Sequence, residues 1–337
     1  MVIDRSEWGV RLSDRVRVAL SAGDIEAARR LVAEGDGMAK SLEKEYSLMA
    51  KGLGISIRAL LDLVEDAARR ATDKGRRELS ETLRRFCGDI EKLARCDEDA
   101  EPTDSGGWFA RTRRRLAEAE VHFDREHGTL ARRILEALDR RDGAAARELV
   151  DRKELSEFVP LHDRLVRFMA EVWAWVLEHL GAEELRRFHL AAAEAQRRGF
   201  EAWERLPAEG FARATAFLVR QHMGDTTILE DDEKFRFVLS PCGSGGRLRL
   251  SGAYEGPGAL PHVEDPSALT FGKPRLPVYC SHCPMWNAVA SAAWFGHPQW
   301  VYHDPSRTDG SCTMSIYKRP ENIPGEFLRR LGIRDRP

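Results

Sequence analysis

The 337-residue sequence has no run approaching the ~18 consecutive apolar residues that a membrane-spanning helix needs. Its start, MVIDRSEWGVRLSDR, carries acids and a tryptophan where a signal peptide needs an apolar stretch. Both points argue against membrane insertion and secretion, and a cytoplasmic protein is expected. Surplus charge is lacking too: 53 Lys+Arg nearly balance 55 Asp+Glu, for a formal net charge of -2, which predicts no nucleic-acid partner. Cysteine is scarce through the first 230 residues, where only Cys87 and Cys96 occur. There is no Walker loop, no dinucleotide fingerprint and no second CxxC of the kind a zinc ribbon carries. What is present, 42% hydrophobic and 32% charged residues, describes an ordinary globular protein of two or more domains at ~100–200 residues each.

From Ser13 to about Met223 the chain reads as successive amphipathic helices rich in Ala, Leu, Arg and Glu. Arg and Glu alternate on the polar faces, and RTRRR at Arg111 to Arg115 reads as a short solvated exception. The segment ALSAGDIEAARRLV (Ala19 to Val32) matches ALDRRDGAAARELV (Ala137 to Val150) at eight of fourteen positions, and LRRF recurs at Leu83 to Phe86 and Leu185 to Phe188. This predicts two related helical bundles. CDEDAEPTDSGGW, with its acids, proline and paired glycines, reads as the connection between them. The expected division is 1–97 and 109–225 for the bundles, 98–108 for the linker, and 226–337 for a cysteine-rich α+β domain.

Only the second bundle carries histidines on its helices: His162 beside Asp163, His179, His189 and His222. His162, Asp163, His189 and His222 can converge inside a bundle, although no pair has the i, i+3 or i, i+4 spacing that places two groups on one turn. They stand as a reserve site.

After Asp225 glycine, proline, aromatics and β-branched residues rise. KFRFVLSP alternates Phe235, Phe237 and Leu239 and predicts a strand; RLRLSG (Arg247 to Gly252) predicts a second, closing a hairpin. Pro284 to Phe295 predicts a helix, and PQWVYHD and SCTMSIYK two more strands. The fold class is therefore a mainly α N-terminal region followed by a small α+β domain with an antiparallel sheet.

Four cysteines fall in this last part. Cys280 and Cys283 form a CxxC ahead of the helix, while Cys242 and Cys312 sit at the ends of predicted strands. Two thiolates at that spacing can hold one zinc ion, with Cys242 and Cys312 completing the shell and His282 and His303 as alternatives. A redox role for the CxxC is open as well, because a helix start lowers a thiol pKa. In CGSGGR the glycines, Gly243 and Gly245 among them, let backbone amides approach a ligand. Arg247 adds a cation for a carboxylate, and Cys242 can then be a nucleophile with His282 or His303 moving protons. Trp286 is one of seven aromatic residues between Tyr279 and Tyr317, the composition of a small-molecule pocket as well as of a small core. EDDE (Glu230 to Glu233) reads as a solvated approach to the first strand.

The layout YCSHC followed by GHPQWVYHDPSRTDGSCTMSIYK resembles the 4-vinyl reductase type of small-molecule-binding domain and the 2-aminothiazoline-4-carboxylate hydrolase family. Both place cysteines before a helix, then a strand, then Gly-x-Cys opening a final strand. The resemblance implies zinc at Cys280, Cys283 and Cys312 beside an apolar ligand pocket; Cys242 and the helical region have no counterpart in it. The resulting expectation is a zinc-dependent enzyme acting on a small organic molecule by hydrolase or lyase chemistry. A non-catalytic ligand-binding protein with a structural cysteine-zinc site is the alternative, and a structural zinc domain on a helical interaction scaffold is the third reading. No nucleic-acid or membrane partner is expected, and a homodimer is left open.

Overall fold

A computed structural model describes residues 1–97 and 101–333. Positions 98–100 of the expected linker and 334–337 of the expected last domain lie outside the described residues. The described residues open with a two-residue strand, β1 (Ile3–Asp4), and then include the α-helices α1 (Leu12–Ser21), α2 (Ile25–Glu34), α3 (Ser47–Ala68), α4 (Asp73–Ala94), α5 (Ser105–Asp139), α6 (Gly143–Asp151), α7 (Val159–Leu180), α8 (Ala182–Glu204) and α9 (Ala208–Gln221). No helix of the described residues is long and apolar enough to cross a membrane.

The internal repeat is visible as two matching helical hairpins. In the first, the Asp24 N–H reaches back to Ala19 O at 2.9 Å and the Asp24 carboxylate caps α2 at Ala27 N; in the second, Asp142 bonds Ala137 O at 2.9 Å and caps α6 at Ala145 N. Both turns pass through positive φ, at Gly23 (72°) and Arg141 (57°). The shared Asp satisfies amides that a helix start leaves unpaired, and that explains why it survives in both copies. The hairpins pack on each other around Leu12, Val16, Ala28, Val32, Ile134, Leu138, Ala146 and Val150, a core separate from the main one.

RTRRR is not solvated throughout. On α5, Arg111 and Arg115 stand four apart on the face turned to α4, and both Nε atoms donate to Glu91, at 2.9 and 2.8 Å. Their burial follows from the i, i+4 spacing that puts both on one helix face.

A π-helical segment, Arg152–Phe158, links α6 to α7 and buries Lys153 and Glu154. Glu154 accepts hydrogen bonds from Tyr46 (2.5 Å), Arg17 (3.1 Å) and Ser13. Beside it, the Lys153 Nζ has no hydrogen-bond partner among the described residues and lies 5.1 Å from the Tyr46 ring centroid. Burial pulls Lys153 down to about 7, against the opposing pull of Glu45 and Glu154. Between pH 7 and about 10.4 the unfolded chain therefore holds a proton that the folded chain has released, so this group costs stability that is regained only as pH rises through that window. Lys153→Met is expected to raise the thermal midpoint by about 5 °C at pH 6 and by much less at pH 9.5. Calorimetry at the two pH values checks this; a loss of stability at pH 6 would mean the amine is usefully paired.

The remainder follows the predicted α+β plan with one exchange. The strands are β2 (Thr226–Glu230), β3 (Lys234–Leu239), a small pair β4 (His262–Val263) and β5 (Leu276–Pro277), then β6 (Val301–Asp304) and β7 (Cys312–Tyr317). Helix α10 (Gly245–Leu250) follows β3, α11 (His282–Pro284) and α12 (Ser291–Phe295) flank a π segment at Met285–Ala290, and α13 (Gly325–Arg330) comes last. RLRLSG is thus helical, not a strand, and the hairpin is β2–β3, with EDDE as its turn. The alternating Arg and Leu that predict a strand are overruled by Ser244, Gly245 and Gly246, where the chain turns away from the sheet. The main sheet is antiparallel in the order β1-β2-β3-β7-β6, so the first strand of the chain forms one edge. Phe235, Phe237 and Leu239 oppose Ile316, Met314 and Cys312 in register and join the main core, which runs without interruption from Trp8 through the helices to Leu331.

Candidate functional site

Helix α7 is the wall between the helical part and the cysteine-rich part. Its fully buried Trp173 has ring contacts with His189 (4.7 Å between centroids), His282 (5.2 Å), Tyr279 (5.5 Å) and Trp286 (5.9 Å). Against this wall three separate pieces of chain bring their cysteines together. Cys242 follows β3 and is held by its N–H to Gly310 O (3.0 Å); Cys312 opens β7 opposite Leu239; Cys280 and Cys283 lie in consecutive helical turns. All four thiols are free. They are near enough for charge on one to act on the others: Cys242 raises Cys280, Cys283 and Cys312 in addition to the dominant effect of burial, which pushes all three thiols up. These three are protonated near neutrality.

The glycines allow the close approach. A Cβ on Gly243 would meet the His222 carbonyl oxygen at 2.0 Å, and one on Gly245 would sit 2.9 Å from the Cys280 Sγ. They serve packing of the loop against its neighbours.

Arg247 does not face the thiols. It is paired with Asp163 of α7, Nη2 to Oδ2 at 2.5 Å. The cation at the thiols is Arg249, whose Nη1 donates to Cys280 Sγ at 3.2 Å and Nη2 to Ser311 O at 3.5 Å, while its buried Nε has no partner. Among the described residues no carboxylate pairs with Arg249. In a strand both arginines would point the same way; on a helix two positions are about 200° apart, so they serve opposite sides. Arg249, together with Trp173 and Tyr254, is what sequence reasoning missed. The only signal for Arg249 was the second Arg of RLRL.

His282 is placed with a defined tautomer. Its Nδ1 lies 2.6 Å from Tyr279 O, and a carbonyl only accepts, so the proton is on Nδ1 and Nε2 is bare. The Cys283 Sγ is 3.5 Å from that Nε2 and donates to it. Burial pulls His282 down to about 4, so the imidazole is neutral. Tyr302, hydrogen-bonded by Asn287 at 2.7 Å, lies against Cys283, and the Tyr254 hydroxyl accepts the Tyr279 N–H at 3.2 Å. Trp286 packs on His282 at 4.9 Å with its Nε1 unpartnered.

His303 is elsewhere. Its Nε2 bonds the Ser315 Oγ at 2.8 Å, on the sheet face opposite Tyr302 and Cys312, because neighbouring residues of a strand point to opposite faces. The zinc expectation finds no ligand group: among the described residues no three His, Cys, Asp or Glu side chains stand close enough to hold a metal ion. The reserve residues are brought together in part. His162 bridges Asp163 and His222, whereas His189 bonds Ser281 Oγ at 2.8 Å and belongs to the Trp173 cluster.

No protein family, no curated protein and no solved structure matches the chain.

Proposed function

We propose that the chain is an enzyme that takes a small organic acid at Arg249 and attacks its electrophilic carbon with the Cys283 thiol, in a hydrolytic reaction. The observation that carries this reading is the Cys283–His282 contact at 3.5 Å with the imidazole held in the accepting tautomer. Arg249, a cation with no carboxylate of its own, stands beside Cys280 in the same cluster. As the Sγ–carbon bond forms, the thiol proton passes to His282 Nε2, and the imidazolium returns it to the leaving group. Water then releases the acid and restores the thiol. Cys242 is the weaker nucleophile candidate, since its nearest side-chain partner is the Ser244 Oγ at 3.9 Å rather than a base.

Iodoacetate, a small acid with an electrophilic carbon, is the test probe. It is expected to alkylate Cys283 ahead of Cys242, and about tenfold faster than neutral iodoacetamide because of the local cation. Arg249→Gln should remove the preference for the anion, and peptide mass spectrometry reads the sites. Labelling confined to Cys242 would sink the assignment.

The second reading is a non-catalytic ligand-binding protein with zinc on Cys280, Cys283, Cys312 and Cys242; the mutual charge effects among these thiols favour it, although their sulfurs would have to draw closer to share an ion. About one zinc per chain by elemental mass spectrometry, lost in Cys280→Ser, would favour it over thiol chemistry.

A further inference from the structure

The short helix α10 touches a second polar assembly on its other side. Arg247 donates to both oxygens of Asp163, Nη2 to Oδ2 at 2.5 Å and Nε to Oδ1 at 3.3 Å. Asp163 Oδ1 lies 2.9 Å from His162 Nδ1, and His162 Nε2 lies 2.9 Å from His222 Nδ1. Burial alone would raise Asp163, but the hydrogen bonds from His162 and Arg247 outweigh it and hold the carboxyl below its usual value, so the group is a carboxylate. Burial pushes His222 well below its ordinary range and keeps it neutral.

The proton positions then follow from the donor inventory. A carboxylate only accepts, so His162 carries a proton on Nδ1, and a neutral His162 then presents a bare Nε2. That atom must accept from His222 Nδ1–H, which leaves His222 Nε2 as a lone pair. None of the hydrogen bonds among the described residues engages that atom. The His222 carbonyl packs on Gly243, next to Cys242, and His222 lies within electrostatic reach of His282, the partner of Cys283. Asp163 and His222 thus clasp the Cys242–Leu250 segment at two points.

We propose that His222 is a general base of this site, accepting a proton from water, with His162, Asp163 and Arg247 as positioning residues that fix its tautomer. The inference rests on the hydrolytic reading for the identity of the nucleophile; the tautomer relay does not depend on Cys283. In the water step the proton goes to His222 Nε2, the oxygen bonds the acyl carbon, and the carbon–sulfur bond breaks. Cys283 leaves as thiolate and takes up a proton from solvent as His222 gives its own up.

The test is nitrogen-15 NMR of the histidine side chains in the full chain, paired with diethylpyrocarbonate labelling. His222 is expected as the Nδ1–H tautomer. In Asp163→Asn the amide donates to His162 Nδ1, which reverses both tautomers, places the proton on His222 Nε2, and slows carbethoxylation of His222 at least ~10-fold. Iodoacetate labelling of Cys283 should be unchanged in that variant, because it depends on His282 and Arg249. A wild-type spectrum with His222 protonated at Nε2 overturns the proposal even if the variant does not fold, and so does an Asp163→Asn spectrum with both tautomers unmoved. Loss of the iodoacetate preference in the wild type, with the His222 tautomer as expected, rejects the thiol reading and leaves the relay standing.

Discussion

Arg220→Met is expected to lower the stability of the fold by about 3–5 kcal/mol, read as a fall of about 10 °C in the thermal midpoint. Arg220, on α9, is fully buried, and so are both carboxylates it meets: Asp36 at 2.8 Å and Glu45 at 2.9 Å. Its Nη1 also reaches Val10 O at 3.0 Å, so one side chain joins the N-terminal segment, the loop after α2 and the turn before α3. Removing it takes away the cation that the two acids share, leaving Glu45 with the Leu12 N–H at 3.2 Å and Asp36 with the half-exposed Arg15 at 3.3 Å. Burial of Glu45 already outweighs the pull of Arg220 and pushes it up to about 7. From about pH 4.5 to 7 the folded chain keeps a proton there that the unfolded chain has lost, and this part of the stability falls as pH rises through the window. In Arg220→Met the decline should steepen, and Glu45→Gln in the same background should restore part of the loss. A midpoint within about 2 °C of the parent would show that the buried pairs contribute nothing net.

Gly243→Ala should have the second largest effect, about 3 kcal/mol, together with loss of the iodoacetate preference at Cys283. The new methyl would stand 2.0 Å from the His222 carbonyl oxygen and 2.5 Å from Gly224 N, both backbone atoms that cannot rotate aside. The turn bearing Cys242 must then part from the turn bearing His222, carrying Arg247 and Arg249 with it. Gly199→Ala, on an open face of α8, is the control and should be neutral or slightly stabilising. Equal stability of the two variants in urea would disprove the close-packing account.

Much of the architecture was legible because it depends on periodic pattern. The repeated Asp of SAGD and RRDG marks two helix starts, and the Phe235, Phe237, Leu239 alternation marks a strand, and both features are local. RLRLSG failed because alternation over four residues fits a strand and a single helical turn equally, and the choice was made by the glycines ahead of it. The same error hid Arg249 and assigned Arg247 to a substrate carboxylate. The places of Cys242, Cys280, Cys283 and Cys312 near element ends are local and can be read from the sequence, whereas the His162–His222 contact joins residues sixty positions apart on α7 and just after α9. No spacing rule reaches that far, so these histidines showed only as an unexplained group. His303 was misplaced by one position of strand parity.

The strand at the start of the chain has a consequence for synthesis. Arg5 pairs with Glu230 across 225 positions, and Ile3 and Asp4 find their sheet neighbours only in β2. During translation the helices can collapse as they emerge, but the first residues must wait, unpaired, until two thirds of the chain has followed them. The sheet itself closes later still, when β7 slots between β3 and β6. Such non-local closure is the slow part of folding, so the thiol cluster, whose last member is Cys312, is assembled only at the end.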